Sequence, residues 1–311
     1  MQIRSVVLEG TESLVDSARS LGYLTGGTDT VDEPLPSQDC SLAALCEMAK
    51  GLPLVADEEQ EACVQLLVAE DGRTSHVDLF SRVTESRADW ATVVPLMGEE
   101  YVIPPHTAFL LSDVTRIQPL VHSLASPNCL VVTWVTNRPS HLRFVRDELY
   151  PHWGVDVVAE WFWVKVTTSG QFVFPLDSHH KKPYEVLVLG RYRSAADDAT
   201  SSSGTSEVPV EDQRLIVSVP SALHSQKPSL SEVLKPHVAA GAECLELFAR
   251  SLQPGWTSWG NEVLKFQHAS YFTLTPAADG ADDPDEEPAV TPGSTSSPGE
   301  SSLMADRQHL S

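Results

Sequence analysis

Over the first 95 positions, apolar residues recur at the spacing of an α-helix. Leu42, Leu45 and Ala49 fall on one helical face, and Ser41 precedes them as a candidate N-cap. No combination of residues in this stretch indicates catalytic or metal-binding chemistry. The pattern therefore predicts a small N-terminal helical region over residues 1–95.

From residue 96 to 275 the pattern changes to short apolar runs separated by amphipathic segments, as in an α/β domain with helices on the faces of a sheet. One run, Cys129–Val135, is continuously apolar and is typical of a strand buried on both faces. The predicted strands are Ala108–Ser112, Cys129–Val135, Val155–Val166, Glu185–Arg191, Leu215–Val219 and Leu245–Ala249, and the predicted helices are Pro139–Tyr150 and Ser229–Lys235, the latter with Ser229 as its candidate cap.

Two segments lack any periodicity. Residues 194–213 are rich in Ser, Thr, Ala and acids and predict a flexible loop within the α/β domain, and residues 276–311 predict a disordered acidic tail. The net charge of −22 argues against a general affinity for nucleic acid. Residues 126–193 hold eight bases against six acids, so nucleic acid would bind there, although an excess this small is also typical of an ordinary solvated surface.

Composition also bears on compartment and on metal sites. The five cysteines show no C-x-x-C spacing and predict reduced thiols in an intracellular protein with no metal site. No apolar run approaches the ~20 residues of a membrane span. The acids Glu9 and Asp16 fall where a signal peptide would have its uninterrupted apolar run, so no signal peptide is predicted. We expect a monomer of the nucleus and cytoplasm, with Arg4 and Arg19 leaving the mitochondrion open as an alternative.

Two short clusters allow more than one interpretation. Asp177, His179 and His180 could ligate a metal ion, but without a second cluster they are better explained as polar loop residues. Trp256 and Trp259 could stack on bases or could pack in a core or turn.

Longer strings carry a more specific signal, because four of them occur in a fixed order over most of residues 101–272. Together they closely resemble the methyltransferase-like-4 branch of the adenine N6-methyltransferase family. The resemblance implies a Rossmann-like, doubly wound sheet that binds S-adenosylmethionine at the carboxyl ends of its strands. The strings are PNCLVVTWVTNR (127–138), LRFVRDELYPHW (142–153), EWFWVKV…SGQFVFPLDSHHKKPYE…LGR (160–191) and ELFARSLQPGWTSWGNEVLKFQH (246–268).

The resemblance assigns residues to the cofactor. Asp113 and Val114 are the last two residues of the string FLLSDV and lie just past its predicted strand. They match positions that contact the adenine of the cofactor. Lys227 matches a lysine whose ammonium pairs with the methionine carboxylate, although the family often has His where this chain has Gln226. A plain surface lysine is the alternative for Lys227.

The ribose contacts of the family match Arg250, at the end of ELFAR, and Asn261 and Glu262, in GNEV. These polar groups suit the two hydroxyls of a ribose. For Asn261 the alternative is a helix cap.

The resemblance also implies a nucleic-acid substrate, RNA or DNA, facing Lys181, Lys182 and Glu185. The two lysines would bind phosphate groups. Such contacts position a nucleic-acid strand but do not depend on its base sequence. Glu185 could accept a hydrogen bond from a base edge. The alternative is a charged loop that leads into a strand.

The family's catalytic tetrapeptide, Asp-Pro-Pro-Trp, is absent from all 311 residues, and the only Pro-Pro pair is Pro104-Pro105. In the family, the Asp and a proline carbonyl aim the adenine amine at the methyl group, and the Trp walls the pocket of the flipped base. We therefore assign no catalytic residue.

The gap can be located, because the family places the motif between the segments matching 109–120 and 126–132. Here His122-Ser123 joins these flanks directly, and only the 15 residues Val114 to Asn128 separate Asp113 from Cys129. One crossover between parallel strands needs about a dozen residues. We therefore predict that one central strand is missing with the motif, and skipping of an exon in a splice form is the simplest hypothesis.

Three functional hypotheses follow. By resemblance the chain is an N6-adenine methyltransferase of RNA, including 2′-O-methyladenosine in small nuclear RNA, or of DNA, with little or no activity in this form. The second is a non-catalytic splice form that binds cofactor or RNA and acts as a regulator. The third is an unstable product without function. The sequence leaves open whether this form is an enzyme.

Overall fold

The structure, a computed structural model, is mixed α/β with several sheets and few helices, which confirms the predicted fold class. It describes residues 3–24, 39–51, 64–65, 83–114, 123–193, 209–223 and 225–272.

Five α-helices and eleven strands occur in the described residues. The helices are α1 (Ile3–Ser20), α2 (Asp39–Gly51), α3 (Pro139–Phe144), α4 (Tyr150–His152) and α5 (Ser231–Leu234), with a π-helical segment at Val145–Leu149 and 3-10 turns at Lys235–His237 and Ala269–Tyr271. The strands are β1 (Val64–Gln65), β2 (Thr84–Ser86), β3 (Thr92–Leu96), β4 (Glu99–Ile103), β5 (Thr107–Leu110), β6 (Leu130–Val135), β7 (Val155–Lys165), β8 (Tyr184–Tyr192), β9 (Leu215–Ser218), β10 (Cys244–Leu247) and β11 (Trp256–Trp259).

All six predicted strands are present within two residues of their predicted ends. The predicted cap Ser41 is wrong, because helix α2 begins at Asp39. Helix α5 has Leu230 at its N-cap, without a side-chain hydrogen bond, but the predicted cap Ser229 accepts a hydrogen bond from the Ser231 N–H at 3.3 Å. No helix among the described residues is long and apolar enough to cross a bilayer.

The described residues group into two compact units. The four-strand unit takes its residues from Met1–Ser37 and Thr115–Ala242, and the five-strand unit from Gln38–Val114 and Glu243–Ser311. Helices α1 and α2, both in the predicted N-terminal region 1–95, belong to different units. The predicted domain limits, 1–95, 96–275 and 276–311, stay a prediction, and the tail 276–311 and loop residues 194–208 lie outside the described residues.

The four-strand unit is built on a sheet of order β6-β8-β7-β9, in which β8 runs antiparallel to both neighbours and β7 and β9 are parallel. Consecutive buried residues of β7 and β8, among them Phe162 and Val188, contribute to its core. Helix α1 buries Val7 and Val15, and Gly10 lets it approach closely, since a Cβ there would lie 2.4 Å from Leu215 Cδ1. The buried hydroxyl of Tyr150 donates a hydrogen bond to the Val188 carbonyl at 2.8 Å.

Strand β6 differs from its prediction as a strand buried on both faces. It lies at the edge of the sheet, pairs with β8 among the described strands, and has only Val135 fully buried. An apolar run shows that a strand is hydrophobic but not how many strands pair with it. An edge strand and a central strand can therefore look alike in sequence.

The five-strand unit contains a sheet of order β1-β2-β5-β11-β10 and the separate hairpin β3-β4. Its three strands β5, β11 and β10 are mutually parallel, with Ser258 paired to Phe109 on one side and to Glu246 on the other. Strand β11 was not predicted, because Trp-Thr-Ser-Trp lacks the apolar run of the other strands. Its sheet packs against a core that includes Phe109 and Leu264.

Candidate functional site

The carboxyl ends of three parallel strands form one edge of the five-strand sheet. Asp113 and Val114 follow β5, Arg250 follows β10, and Asn261 with Glu262 follows β11. Because parallel strands end at the same side of a sheet, these five residues lie along one edge. That edge is where open α/β sheets bind ligands.

Gly260 allows the strand ends to approach closely. Its N–H donates to the Leu110 carbonyl at 3.2 Å, and the Ala249 N–H donates to the Trp259 carbonyl at 3.0 Å. A Cβ on Gly260 would lie 2.5 Å from the Ala249 carbonyl oxygen. Because Gly260 has no side chain, the chain segments that carry Arg250 and Asn261 can lie next to each other.

Glu262 forms two ion pairs at this edge of the sheet. Its carboxylate accepts from Arg250 Nε at 2.8 Å and from Lys265 Nζ at 2.7 Å. Burial alone would raise the Glu262 pKa, but the hydrogen bonds from Lys265 and Arg250 outweigh it and hold the pKa below its usual range. Glu262 is therefore ionised at neutral pH, and it can accept hydrogen bonds from hydroxyl groups.

Strand β11 also carries two buried polar atoms. Ser258 Oγ and Trp259 Nε1 have no hydrogen-bond partner among the described residues. An unpaired buried donor carries a desolvation cost of about 1–3 kcal/mol. Trp259 is buried in the sheet and Trp256 is half-buried, so the core interpretation holds for Trp259.

Glu246, in β10, is a half-buried acid that the sequence analysis did not single out. Burial raises its pKa to about 7 from an ordinary 4.5. Between these values the folded chain binds more protons than the unfolded chain, so the free energy of unfolding falls as pH rises. We expect the free energy of unfolding to fall by up to about 3 kcal/mol between pH 4.5 and 7. In Glu246→Gln, urea unfolding curves will no longer show this fall. The prediction is contradicted if the free energies of unfolding of the two proteins change in parallel with pH.

The four-strand unit brings together two residues that were assigned different partners. Glu185, at the start of β8, forms ion pairs with Lys227 and, at 2.6 Å, with Lys165 at the end of β7. Burial would raise the Glu185 pKa, but the hydrogen bonds from Lys165 and Lys227 keep it below its usual range. Lys165 was not predicted, because its partner lies on the next strand, 20 residues further along the chain.

Two tryptophans surround the Lys227 ammonium. Lys227 Nζ lies 5.4 Å from the ring centroids of both Trp134 and Trp163. Lys165 Nζ lies 4.5 Å from the Trp163 ring, and Trp163 Nε1 donates to Ser218 Oγ at 2.8 Å. Cation–π attraction of this kind contributes about 0.5–2 kcal/mol and fixes the position of the cation.

A pocket of about 330 Å³ opens beside this cluster in the four-strand unit. Trp163 and Lys227 line it together with serines, prolines and Gln226. The polar lining residues suit a small ligand that offers hydrogen-bond acceptors. The lining residues are Trp163, Ser218, Val219, Pro220, Ser221, Gln226, Lys227, Pro228 and Ser229.

The two remaining predicted substrate residues lie in the loop before β8. Lys182 Nζ donates to the Leu176 carbonyl at 2.9 Å, which holds the loop together. Lys181 is exposed, with its ammonium 5.5 Å from the Phe174 ring. Asp177 pairs with Arg4 of α1 at 2.9 Å, so this loop is tied to the helix. The assignments of Lys181, Lys182, Glu185 and Lys227 to ligands stay predictions.

Comparisons with known proteins agree on one family. Residues 112–262 match the MT-A70 family. The chain is 45% identical to the human N(6)-adenine-specific methyltransferase METTL4, a match that covers 87% of this chain and 66% of the relative. This chain thus spans just under two thirds of METTL4.

Two shorter matches come from other organisms. The chain is 38% identical to the N6-methyladenosine RNA methyltransferase MTA1 of Pyricularia oryzae, over 53% of this chain and 41% of that protein. It is 35% identical to a DNA N6-methyl methyltransferase of Caenorhabditis elegans, over 47% of this chain and 38% of that protein.

Proposed function

Because the chain belongs to the MT-A70 family, we propose that it derives from an S-adenosylmethionine-dependent N6-adenine methyltransferase and that this form transfers methyl groups weakly or not at all. The names of its relatives support adenine in RNA or DNA as the substrate class. Our finer proposal is RNA, with 2′-O-methyladenosine of small nuclear RNA as the target, in the nucleus and cytoplasm. The runner-up is a non-catalytic form that retains cofactor or RNA binding.

One observation carries the proposal: the five predicted cofactor residues of the five-strand unit share a single sheet edge. The residues fit an adenosine. Glu262 offers ionised acceptors, Arg250 and Asn261 offer donors, and the buried Ser258 Oγ and Trp259 Nε1 lack partners among the described residues. S-Adenosylmethionine, when bound, supplies a methyl group on a positively charged sulfur. The residues of this edge bind and orient the ligand.

One observation supports the loss of a block relative to METTL4. The alignment to METTL4 extends over 315 positions, more than the 311 residues of the chain, while it takes in only 87% of them. Positions of METTL4 therefore have no counterpart here.

Calorimetry with S-adenosylmethionine tests the cofactor proposal. We expect binding by the full chain, and a loss of affinity of about tenfold in Glu262→Gln, because the neutral amide accepts hydrogen bonds from hydroxyls less strongly. Glu99→Gln is the matched control, since Glu99 is a half-exposed acid of the same unit whose partner is His268. Equal losses in both variants would contradict the assigned role of Glu262.

The same calorimetry separates the three hypotheses when it is combined with a thermal melt. Binding together with methyl transfer to RNA would show an active enzyme. Binding without transfer would favour the non-catalytic form. If the chain shows neither binding nor a cooperative melt, it is an unstable product and the proposal is wrong.

A further inference from the structure

One buried amide joins the two chain segments that carry Arg250 and Glu262. Gln267 is only 3% exposed, although glutamine is usually a surface residue. Its side-chain oxygen accepts a hydrogen bond from the Leu252 N–H at 3.0 Å, and its side-chain nitrogen donates to the Val102 carbonyl at 2.6 Å. Both partners are buried backbone groups, so the amide is placed to satisfy them.

The first partner belongs to the segment that carries Arg250. Leu252 follows Arg250 closely in the chain, after the end of β10, and its side chain lies in the core of the unit. A second hydrogen bond joins the same two segments, because the Phe266 N–H donates to the Arg250 carbonyl at 3.0 Å. The backbone around Arg250 is therefore held by Gln267 and by the residue before it.

Gln267 is also held close to Glu262 along the chain. The Lys265 N–H donates to the Glu262 carbonyl at 2.9 Å, and the Gln267 N–H donates to the Leu264 carbonyl at 3.0 Å. Arg250 Nε in turn donates to the Glu262 carboxylate at 2.8 Å. The Gln267 amide and this ion pair thus join the same two segments, so loss of the amide would loosen the geometry of the ion pair.

Strand β4 fixes the other end of the amide. Both backbone groups of Val102 bond to Gln267, because the Val102 N–H also donates to the Gln267 carbonyl at 2.7 Å. Val102 is paired with Val93 in the hairpin β3-β4. Rotation of the Gln267 side chain would leave buried polar groups without partners, which confines the side chain to the observed position.

We propose that Gln267 is a positioning residue for the edge of the five-strand sheet, where it sets the spacing of Arg250 and Glu262 and thereby the affinity for the ribose hydroxyls of the ligand. It acts through Arg250 and not by touching the ligand, since its amide oxygen and nitrogen already bond to backbone groups. This inference deepens the proposed function and rests on it for the ligand class. All its residues belong to the five-strand unit.

The test compares two probes that differ only in the ribose hydroxyls, adenosine and 2′,3′-dideoxyadenosine, by ligand-observed NMR titration of the full chain. The readout is the ribose preference, defined as the ratio of the affinity for adenosine to the affinity for its dideoxy analogue. We expect a ribose preference of about tenfold, because hydrogen bonds to ionised groups are strong. Arg250→Gln will reduce this preference to about twofold.

Substitutions at Gln267 then test the amide itself. Gln267→Met keeps the length of the side chain without its polar atoms, and it will reduce the ribose preference about fivefold. Gln267→Glu will retain the preference, because a buried carboxyl favours its neutral form and can then accept from Leu252 and donate to Val102 as the amide does. In the Arg250→Gln background, Gln267→Met will cause no further change. A merely structural role would weaken binding of both probes alike and leave their ratio unchanged.

His268→Gln is the matched control. His268 is the next residue of the same segment, and its side chain bonds to Glu99 of β4 at 3.0 Å and to Ser270 at 2.7 Å, both outside the segment that carries Arg250. This variant will leave the ribose preference within twofold of its original value. If Gln267→Met does not melt cooperatively, Gln267→Asn takes its place, because its shorter side chain cannot reach both partners and the same loss is expected.

The inference is overturned if the original chain shows no ribose preference, if Gln267→Met keeps it in protein that melts normally, or if Gln267→Glu loses it. Equal losses in Gln267→Met and His268→Gln would overturn it as well. Calorimetric binding of S-adenosylmethionine together with any of these results would refute the inference alone. If neither S-adenosylmethionine nor adenosine binds, the proposed function and the inference are both wrong.

Discussion

Incubated with tritiated S-adenosylmethionine and an adenine-containing RNA oligonucleotide, this chain will transfer methyl groups at least about 10⁴-fold more slowly than a form that carries the motif segment. The adenine amine is a poor nucleophile, because its lone pair is delocalised into the ring. Aiming it at the methyl group can supply roughly 7–11 kcal/mol of the barrier. The absent Asp-Pro-Pro-Trp residues perform this step in the family, and no such tetrapeptide occurs in the sequence.

The comparison form is made by inserting the corresponding segment of METTL4 between His122 and Ser123. A second insert, with the Asp and Trp of the motif changed to alanine, is the matched control for any restored folding. We expect transfer only with the intact motif. Turnover by the present chain within tenfold of the inserted form would show that other residues carry the chemistry, and our account of the motif would be wrong.

The strands that sequence predicted best are those with apolar runs. Strands β6, β7 and β8 begin and end within a residue of their predicted limits, since their cores are continuous stretches of Val, Leu and aromatic residues. Strand β11 and the hairpin β3-β4 were missed. Trp256–Trp259 has two hydroxyl residues between its two tryptophans, and β4 begins with Glu99 and Glu100, so neither gives a strong apolar signal.

The residues of the candidate site also divide into those that the sequence predicted and those that it did not. Asp113, Arg250 and Asn261 were found through the resemblance, and the parallel pairing of their strands explains why they share an edge. The contact of Glu185 with Lys227 was not predictable, because 42 residues separate them and each had been assigned to a different ligand. Lys165 was equally hidden. Its contact depends on the register of β7 and β8, which pairs Trp163 with Glu185.

Gly260→Ala will destabilise the five-strand unit by about 3 kcal/mol and abolish cofactor binding at its edge. The new Cβ would lie 2.5 Å from the carbonyl oxygen and 2.9 Å from the nitrogen of Ala249. Both are backbone atoms, so a side chain cannot rotate out of the way. The end of β10 must move, and Arg250 moves with it away from Glu262. Urea unfolding and calorimetry with S-adenosylmethionine measure the two effects.

Two further variants test whether close packing is the cause. Gly98→Ala, in the β3-β4 turn, adds a methyl group to open space at a φ of +84°, so it will cost only about 1 kcal/mol and leave cofactor affinity unchanged. The double variant Gly260→Ala/Ala249→Gly will not recover, because the clash is with backbone rather than with the Ala249 methyl group. Recovery in the double variant, or a cost for Gly260→Ala no larger than that of Gly98→Ala, would show that the strand ends are not held together in this way.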